Sequence, residues 1–193
     1  QLDATFRRVV DRTFNCVSID TDTSTSDSSV ILASGAAGSV DLAAFESALE
    51  CVCLDLTKQI ARDGEGATSL IEVRVDAAAD VRQAKRVAKT IVNSPLVKTA
   101  VHGGDPNWGR VAMAIGKCSD DIGINQDRVV IRFGTTEVYP ELLDDHALGQ
   151  LSTYMRSKHV IIHVSLQTGT AEATVYGCDL SDEYVRFNAD YTT

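Results

Sequence analysis

LIEVRVDAAADVRQAKRVAKTIVNSP, residues 70–95, changes its hydrophobic period half-way along. In the first part Ile71, Val73 and Val75 alternate with Glu72 and Arg74, the period-two pattern of a strand covered on one face. From Val81 onward Ala84, Val87, Ala88 and Ile91 recur at three and four residues. That spacing predicts a helix, stopped near Pro95 because the residue before a proline avoids the helical region. A strand running directly into an amphipathic helix is the unit of an α/β fold.

Upstream, Leu42, Phe45, Leu49, Val52, Leu56 and Ile60 keep helical spacing, with Asp41 as the cap and Gly64 past the end. Leu2, Phe6, Val9, Val10 and Phe14 predict a first helix starting close to Asp3 as its cap and ending near Asn15. Between these helices, CVSIDTDTSTSDSSVILAS (residues 16–34) has two apolar, strand-like pieces flanking a run of Thr, Ser and Asp. Such a run reads as a polar loop whose side chains bond to their own backbone. Downstream, residues 111–115 suggest a buried helix, VVIRF (129–133) a covered strand, and Glu141 to Arg156 another helix. Val160, Ile162, Val164 and Leu166 then alternate inward, as do Ala171, Ala173 and Val175 across QTGT, which predicts a hairpin. The expected class is mixed α/β, with strands running both ways.

With 193 residues, 44% of them apolar, the chain can bury a substantial core. Its 27 acidic against 18 basic side chains, net −9, argue against nucleic-acid binding, which relies on clustered Lys and Arg. No apolar run approaches the roughly 20 residues of a membrane helix, and QLDATFRRVV lacks the order of a secretory signal, so a cytoplasmic setting is expected. Cys16, Cys51, Cys53, Cys118 and Cys178 are scattered, as expected of reduced, buried thiols. Cys51 and Cys53, two apart on a helix, face different ways. His159 and His163 share a strand face but lie about 13 Å apart, too far to hold one ion. No metal site and no cofactor fingerprint emerge.

Three stretches carry residue types that are costly for structure alone. In DGEGAT, Gly64 and Gly66 permit a tight turn that either lies plainly on the surface or aims the Glu65 carboxylate, for instance at an ammonium group. In HGGDPNWGR (102–110), Trp108 plugs a gap while Asn107 or Asp105 caps a helix, or the segment walls a site or subunit contact. The closing NADYTT (188–193) is either a frayed end or a segment folded into a site. There the Asn188 amide, the Thr193 hydroxyl and the terminal carboxylate suit the polar end of an amino acid.

Taken together and in this order, FNCVSIDTDTSTSD, DGEGAT, SPLVKTAVHGGDPNWGR and YVRFNADYTT resemble the mature β chain of the ornithine acetyltransferase family, the bifunctional glutamate N-acetyltransferases of arginine biosynthesis. The DTSTSD version, with VDRTFN ahead of it, is similar to members from clavulanic acid gene clusters. The resemblance implies a precursor that cuts itself ahead of a threonine, which becomes the β chain's N-terminal nucleophile. By the family pattern that threonine lies upstream of Gln1, so no catalytic residue is expected in this chain, and neither Thr5 nor Thr13 takes the role. Glu65, Asn188 and Thr193 correspond to the family's substrate-binding residues.

The resemblance further implies an αββα layered sandwich shared with an α chain from the same precursor, plus a smaller mixed α/β second domain. Residues 1–67 would belong to the shared domain, 68–180 to the smaller one, and 181–193 to a segment folding back to the active site. N-acetylornithine and glutamate are the implied substrates, no cofactor is required, and an α2β2 or higher assembly is expected. Two other readings stand beside it: a related N-terminal-nucleophile hydrolase of aminopeptidase or deacetylase type, and a non-catalytic assembly subunit.

Overall fold

The computed structural model describes residues 1–118, 120, 123–141 and 143–191. Helices α1 (Leu2–Arg12) and α2 (Leu42–Arg62) lead into strand β1 (Leu70–Ala78), followed by α3 (Val81–Val92), α4 (Pro95–Gly103) and α5 (Trp108–Gly116). Strands β2 (Val130–Phe133) and β3 (Thr136–Tyr139), helix α6 (Asp145–Met155), strands β4 (His159–Ser165) and β5 (Ala171–Cys178), and helix α7 (Asp182–Asp190) complete the chain.

The five strands form one mixed sheet in the order β3-β2-β4-β1-β5. β1 runs parallel to β4 and antiparallel to β5, while β2 is antiparallel to both β3 and β4. On one face Ile71, Val73, Val75, Val160, Ile162 and Val164 are almost wholly buried, in one core with Ala84, Val87, Ala88 and Ile91 of α3. The strand-then-helix reading of residues 70–95 therefore describes the heart of the fold. The opposite face is mixed: Leu70 and Tyr176 are buried there in a second, smaller cluster with Ala61 of α2, while His159 Nε2 meets Glu72 Oε2 and His163 Nε2 meets Asp76 Oδ2, each at 2.8 Å across the β1–β4 pair. Both histidines face carboxylates rather than each other.

The predicted β4–β5 hairpin does not form, because β1 lies between the two strands and hydrogen-bonds to both. A strand buried inside a sheet must satisfy the polar groups of both its edges, and β4 and β5 each serve one. The QTGT segment instead crosses the end of β1, where Thr168 N and Gly169 N both donate to Ala77 O. A Cβ on Gly169 would lie 2.4 Å from the Ala78 carbonyl oxygen, so close backbone approach requires the glycine there.

Other expectations also need correction. Neither apolar piece beside the polar run forms a strand: Val17 makes an isolated bridge to Tyr176, and Val30 and Leu32 stand 75% and 91% exposed. Beyond that single bridge to edge strand β5, neither piece has a ladder partner among the described residues, and without one an apolar run does not become a strand. Asp41 caps α2 as expected, its side chain accepting from Ala43 N and Ala44 N. The buried residues of α2, however, are Cys53, Thr57 and Ala61, while Leu42, Val52, Leu56 and Ile60 are exposed. Cys51 is exposed too, against the expectation of five buried thiols. Asp3 is not the cap of α1, which starts one residue earlier; it sits in the first turn and pairs with Arg7 at 3.0 Å. Pro95 does more than stop α3, for it occupies the first turn of α4, where its missing N–H costs nothing.

Candidate functional site

Helix α2 ends at Arg62 with Asp63 as its cap, and the chain turns through Gly64, Glu65 and Gly66. Gly66 has φ +65°, and a Cβ on Gly64 would lie 2.8 Å from Cys178 Sγ, so Gly66 answers to backbone conformation and Gly64 to close packing against the end of β5. Helix α7 sits against the turn. Its cap, Ser181, donates from Oγ to Gly66 O at 2.6 Å and accepts from Tyr184 N. Two turns on, Asn188 Nδ2 donates to Glu65 Oε2 at 2.6 Å and to Tyr184 O at 3.0 Å. Glu65 and Asn188, 123 residues apart in sequence, are therefore in direct contact. Thr193 lies outside the described residues.

The polar loop joins the same place through Asp20, which accepts from the Tyr184 hydroxyl at 3.4 Å. Burial raises the Tyr184 phenol, and the negative charges of Asp20, Glu65 and Asp22 push the same way. The cluster thus carries a negative field suited to a cationic group.

Beneath it lies Asp179, with a fully buried side chain. Its carboxylate accepts from Thr68 N (2.7 Å), Thr68 Oγ1 (2.6 Å), Ser69 N (2.8 Å) and His102 Nδ1 (2.8 Å). Burial is the largest influence and pushes the carboxyl up, but the hydrogen bonds from Thr68, His102 and Ser69 together outweigh it and hold Asp179 below the ordinary aspartate value. Asp76 on β1 behaves alike, burial being outweighed by Ser165 and His163. Lowered carboxyl values mean that the fold binds the ionised form better than the unfolded chain does. That stability is present above the unfolded value, near 4, and is lost as pH falls through the folded one. The thermal midpoint should accordingly drop as pH is lowered from about 4; a midpoint that stays level from pH 5 to 2.5 would contradict this.

In HGGDPNWGR, Asn107 caps α5 by accepting from Arg110 N at 3.2 Å, and Trp108 stacks on Tyr139 with ring centroids 4.8 Å apart. Both are structural tasks. Its first residue, His102, reaches the site through Asp179. Thr13 is buried with its hydroxyl on Val9 O, and Thr5 is buried on α1, so neither is presented as a nucleophile. Among the described residues no three His, Cys, Asp or Glu side chains group as metal ligands, and no helix is long and apolar enough to cross a membrane.

All four stretches that carried the resemblance contribute to this one cluster, and the whole chain, residues 1–193, matches the ArgJ family. The chain belongs to that family. It is 62% identical over 188 residues to arginine biosynthesis bifunctional protein ArgJ 2 of a Nostoc species, covering 97% of this chain and 49% of that protein. Identity is 60% over 196 residues to glutamate N-acetyltransferase Oat2 of Streptomyces clavuligerus, covering 99% and 50%. The crystal structure of arginine biosynthesis bifunctional protein argJ from Bacillus halodurans superposes with a TM-score of 0.92 at 41% identity, over 98% of this chain and 92% of that one. The chain spans about half the length of the curated relatives it matches.

Within this ArgJ-family chain, sequence reasoning missed Asp179, Tyr184 and the part played by His102. One signal was legible: in TVYGCDL an aspartate follows directly on a strand alternation, a costly place for a charge unless donors converge on it.

Proposed function

We propose that this chain is the β portion of a self-processed acetyltransferase that moves an acetyl group from N-acetylornithine to glutamate through an acetyl-enzyme. The observation that carries this reading is the 2.6 Å contact between Asn188 and Glu65 in an ArgJ-family chain, since it brings the C-terminal segment to the turn that the family resemblance assigns to substrate. With Nδ2 held by Glu65 and Tyr184 O, the Asn188 amide is fixed and presents Oδ1 as an acceptor. Oδ1, the Glu65 carboxylate and the field of Asp20 and Asp22 receive the ammonium of the amino acid, and Thr193 completes the grip on its polar end.

The nucleophile is a threonine upstream of Gln1. Its own α-amine, which titrates near neutrality, takes the hydroxyl proton as Oγ attacks the acetyl carbonyl. Ornithine leaves with that proton, the glutamate amine then attacks the ester, and the threonine regains its hydrogen. The α chain of the precursor supplies most of the oxyanion stabilisation.

Residues 1–67 share an αββα sandwich with that α chain, residues 68–180 form the smaller domain, and 181–193 close on the site. The exposed apolar side chains Val30, Leu32, Leu42, Val52, Leu56 and Ile60 support such a partner. So does an open groove of about 1260 Å³ walled by Val10, Phe14, Val30, Leu56 and Ile60, larger than a small-molecule pocket, which neither Glu65 nor Asn188 lines. Burying one aliphatic side chain contributes about 1.5–3 kcal/mol, so covering this surface favours association by several kcal/mol. The pairs assemble further to α2β2 or higher, in the cytoplasm.

Intact-mass spectrometry of the processed full-length enzyme tests the reading. With N-acetylornithine alone, one acetyl group should accumulate on a polypeptide that begins at a threonine ahead of Gln1, and adding glutamate should discharge it as N-acetylglutamate with ping-pong kinetics. Acetate in place of acetylglutamate would identify a hydrolase, and no acetylation at all would leave an assembly subunit.

A further inference from the structure

Asp179 sits between two segments that must keep a fixed spacing. It follows β5 directly and precedes Ser181, the cap of the helix that carries Asn188. Its partners Thr68 and Ser69 follow the Glu65 turn by three and four residues, and Thr68 N, Thr68 Oγ1 and Ser69 N all donate to it. The fourth donor, His102, comes from α4. One turn earlier on the same helix, buried Lys98 donates from Nζ to Cys178 O, and its own carbonyl accepts from Leu180 N at 3.5 Å. Helix α4 therefore holds each of residues 178–180 by a hydrogen bond.

A carboxylate offers about four lone-pair positions. Here Oδ1 takes Thr68 N and Ser69 N, while Oδ2 takes Thr68 Oγ1 and His102 Nδ1, so all four are spent inside the protein. A saturated, fully buried carboxylate has nothing left to offer a substrate or a migrating proton. What it does have is contact with the segments that present Glu65 and Asn188.

We propose that Asp179, oriented by His102, is a positioning residue that sets the spacing of the Glu65 turn and α7 and so determines affinity for the amino-acid substrates. The proposal rests on the acetyltransferase reading above. Its effect passes entirely through the Glu65–Asn188 pair, since no element of the reaction touches Asp179 itself.

Steady-state kinetics on the processed full-length enzyme test it, with His102→Leu, His102→Asn and Asp179→Asn. Loss of the His102 donor in His102→Leu should raise KM for glutamate and for N-acetylornithine about tenfold while kcat falls less than threefold. His102→Asn, whose side-chain amide can stand where Nδ1–H stood, should restore KM to within about threefold of the parent. In an Asn188→Ala background, His102→Leu should add less than twofold. Should Asp179→Asn fail to fold, the two His102 variants carry the test alone. A His102→Leu enzyme with unchanged KM and only a lower melting temperature would overturn the proposal, as would failure of His102→Asn to rescue. Absence of acetyl transfer in the unmodified enzyme would instead overturn the functional reading.

Discussion

Removing Tyr191 to Thr193 from the full-length precursor should lower kcat/KM for acetyl transfer by at least about 10³-fold, roughly 4 kcal/mol of transition-state stabilisation. Stability should hardly change. Helix α7 has no buried residue among its nine, and Tyr191 is 75% exposed, so little apolar area is lost and the melting temperature should move by less than about 2 °C. The two readouts separate substrate grip from folding: kcat/KM is measured with N-acetylornithine and glutamate, and melting is followed by circular dichroism. A truncated enzyme with near-parental kcat/KM would refute any role for the C-terminal segment in binding.

Gly66→Val should be the most damaging single replacement near the site. Gly66 has φ +65°, a region that costs an ordinary residue about 1–2 kcal/mol, and more when branched at Cβ. Its Cβ would also lie 2.6 Å from Tyr184 N and 2.9 Å from Glu183 C, both backbone atoms that move only if α7 moves. Displacing α7 separates Asn188 from Glu65, so kcat/KM is expected to fall about 100-fold. Gly149→Ala is the contrasting case. Gly149 lies inside α6 with nothing within 4 Å of the new methyl, and alanine there should raise stability by up to about 1 kcal/mol with kinetics unchanged. Equal losses in the two variants would show that glycine replacement is harmful in general rather than at the α7 contact.

Where a residue's surroundings come from its own near neighbours, the sequence was enough. The change of period at Leu70–Pro95 and the Asp41 cap follow from local sterics and short-range hydrogen bonds and stand as read, and of the two caps read for α5 it is Asn107 that forms. The family resemblance likewise singled out Glu65 and Asn188 before any geometry brought them together. Strand order was another matter. Alternation in β4 and β5 says which side chains face inward but not which strand lies alongside, and β1 took the place between them because both of its edges needed partners. The apolar stripe of α2 was read correctly as apolar, yet periodicity cannot say whether the covering surface belongs to the same chain. The sequence marks Asp179 as an oddly placed charge but not its role, for the same reason: an aspartate becomes a stable buried anion only when donors 111 residues away in the chain, together with an imidazole from a third element, converge on it. Backbone propensity acts over a few residues and is written in the sequence, whereas desolvating a charge is a many-body event whose cost is met only once the chain has closed around it.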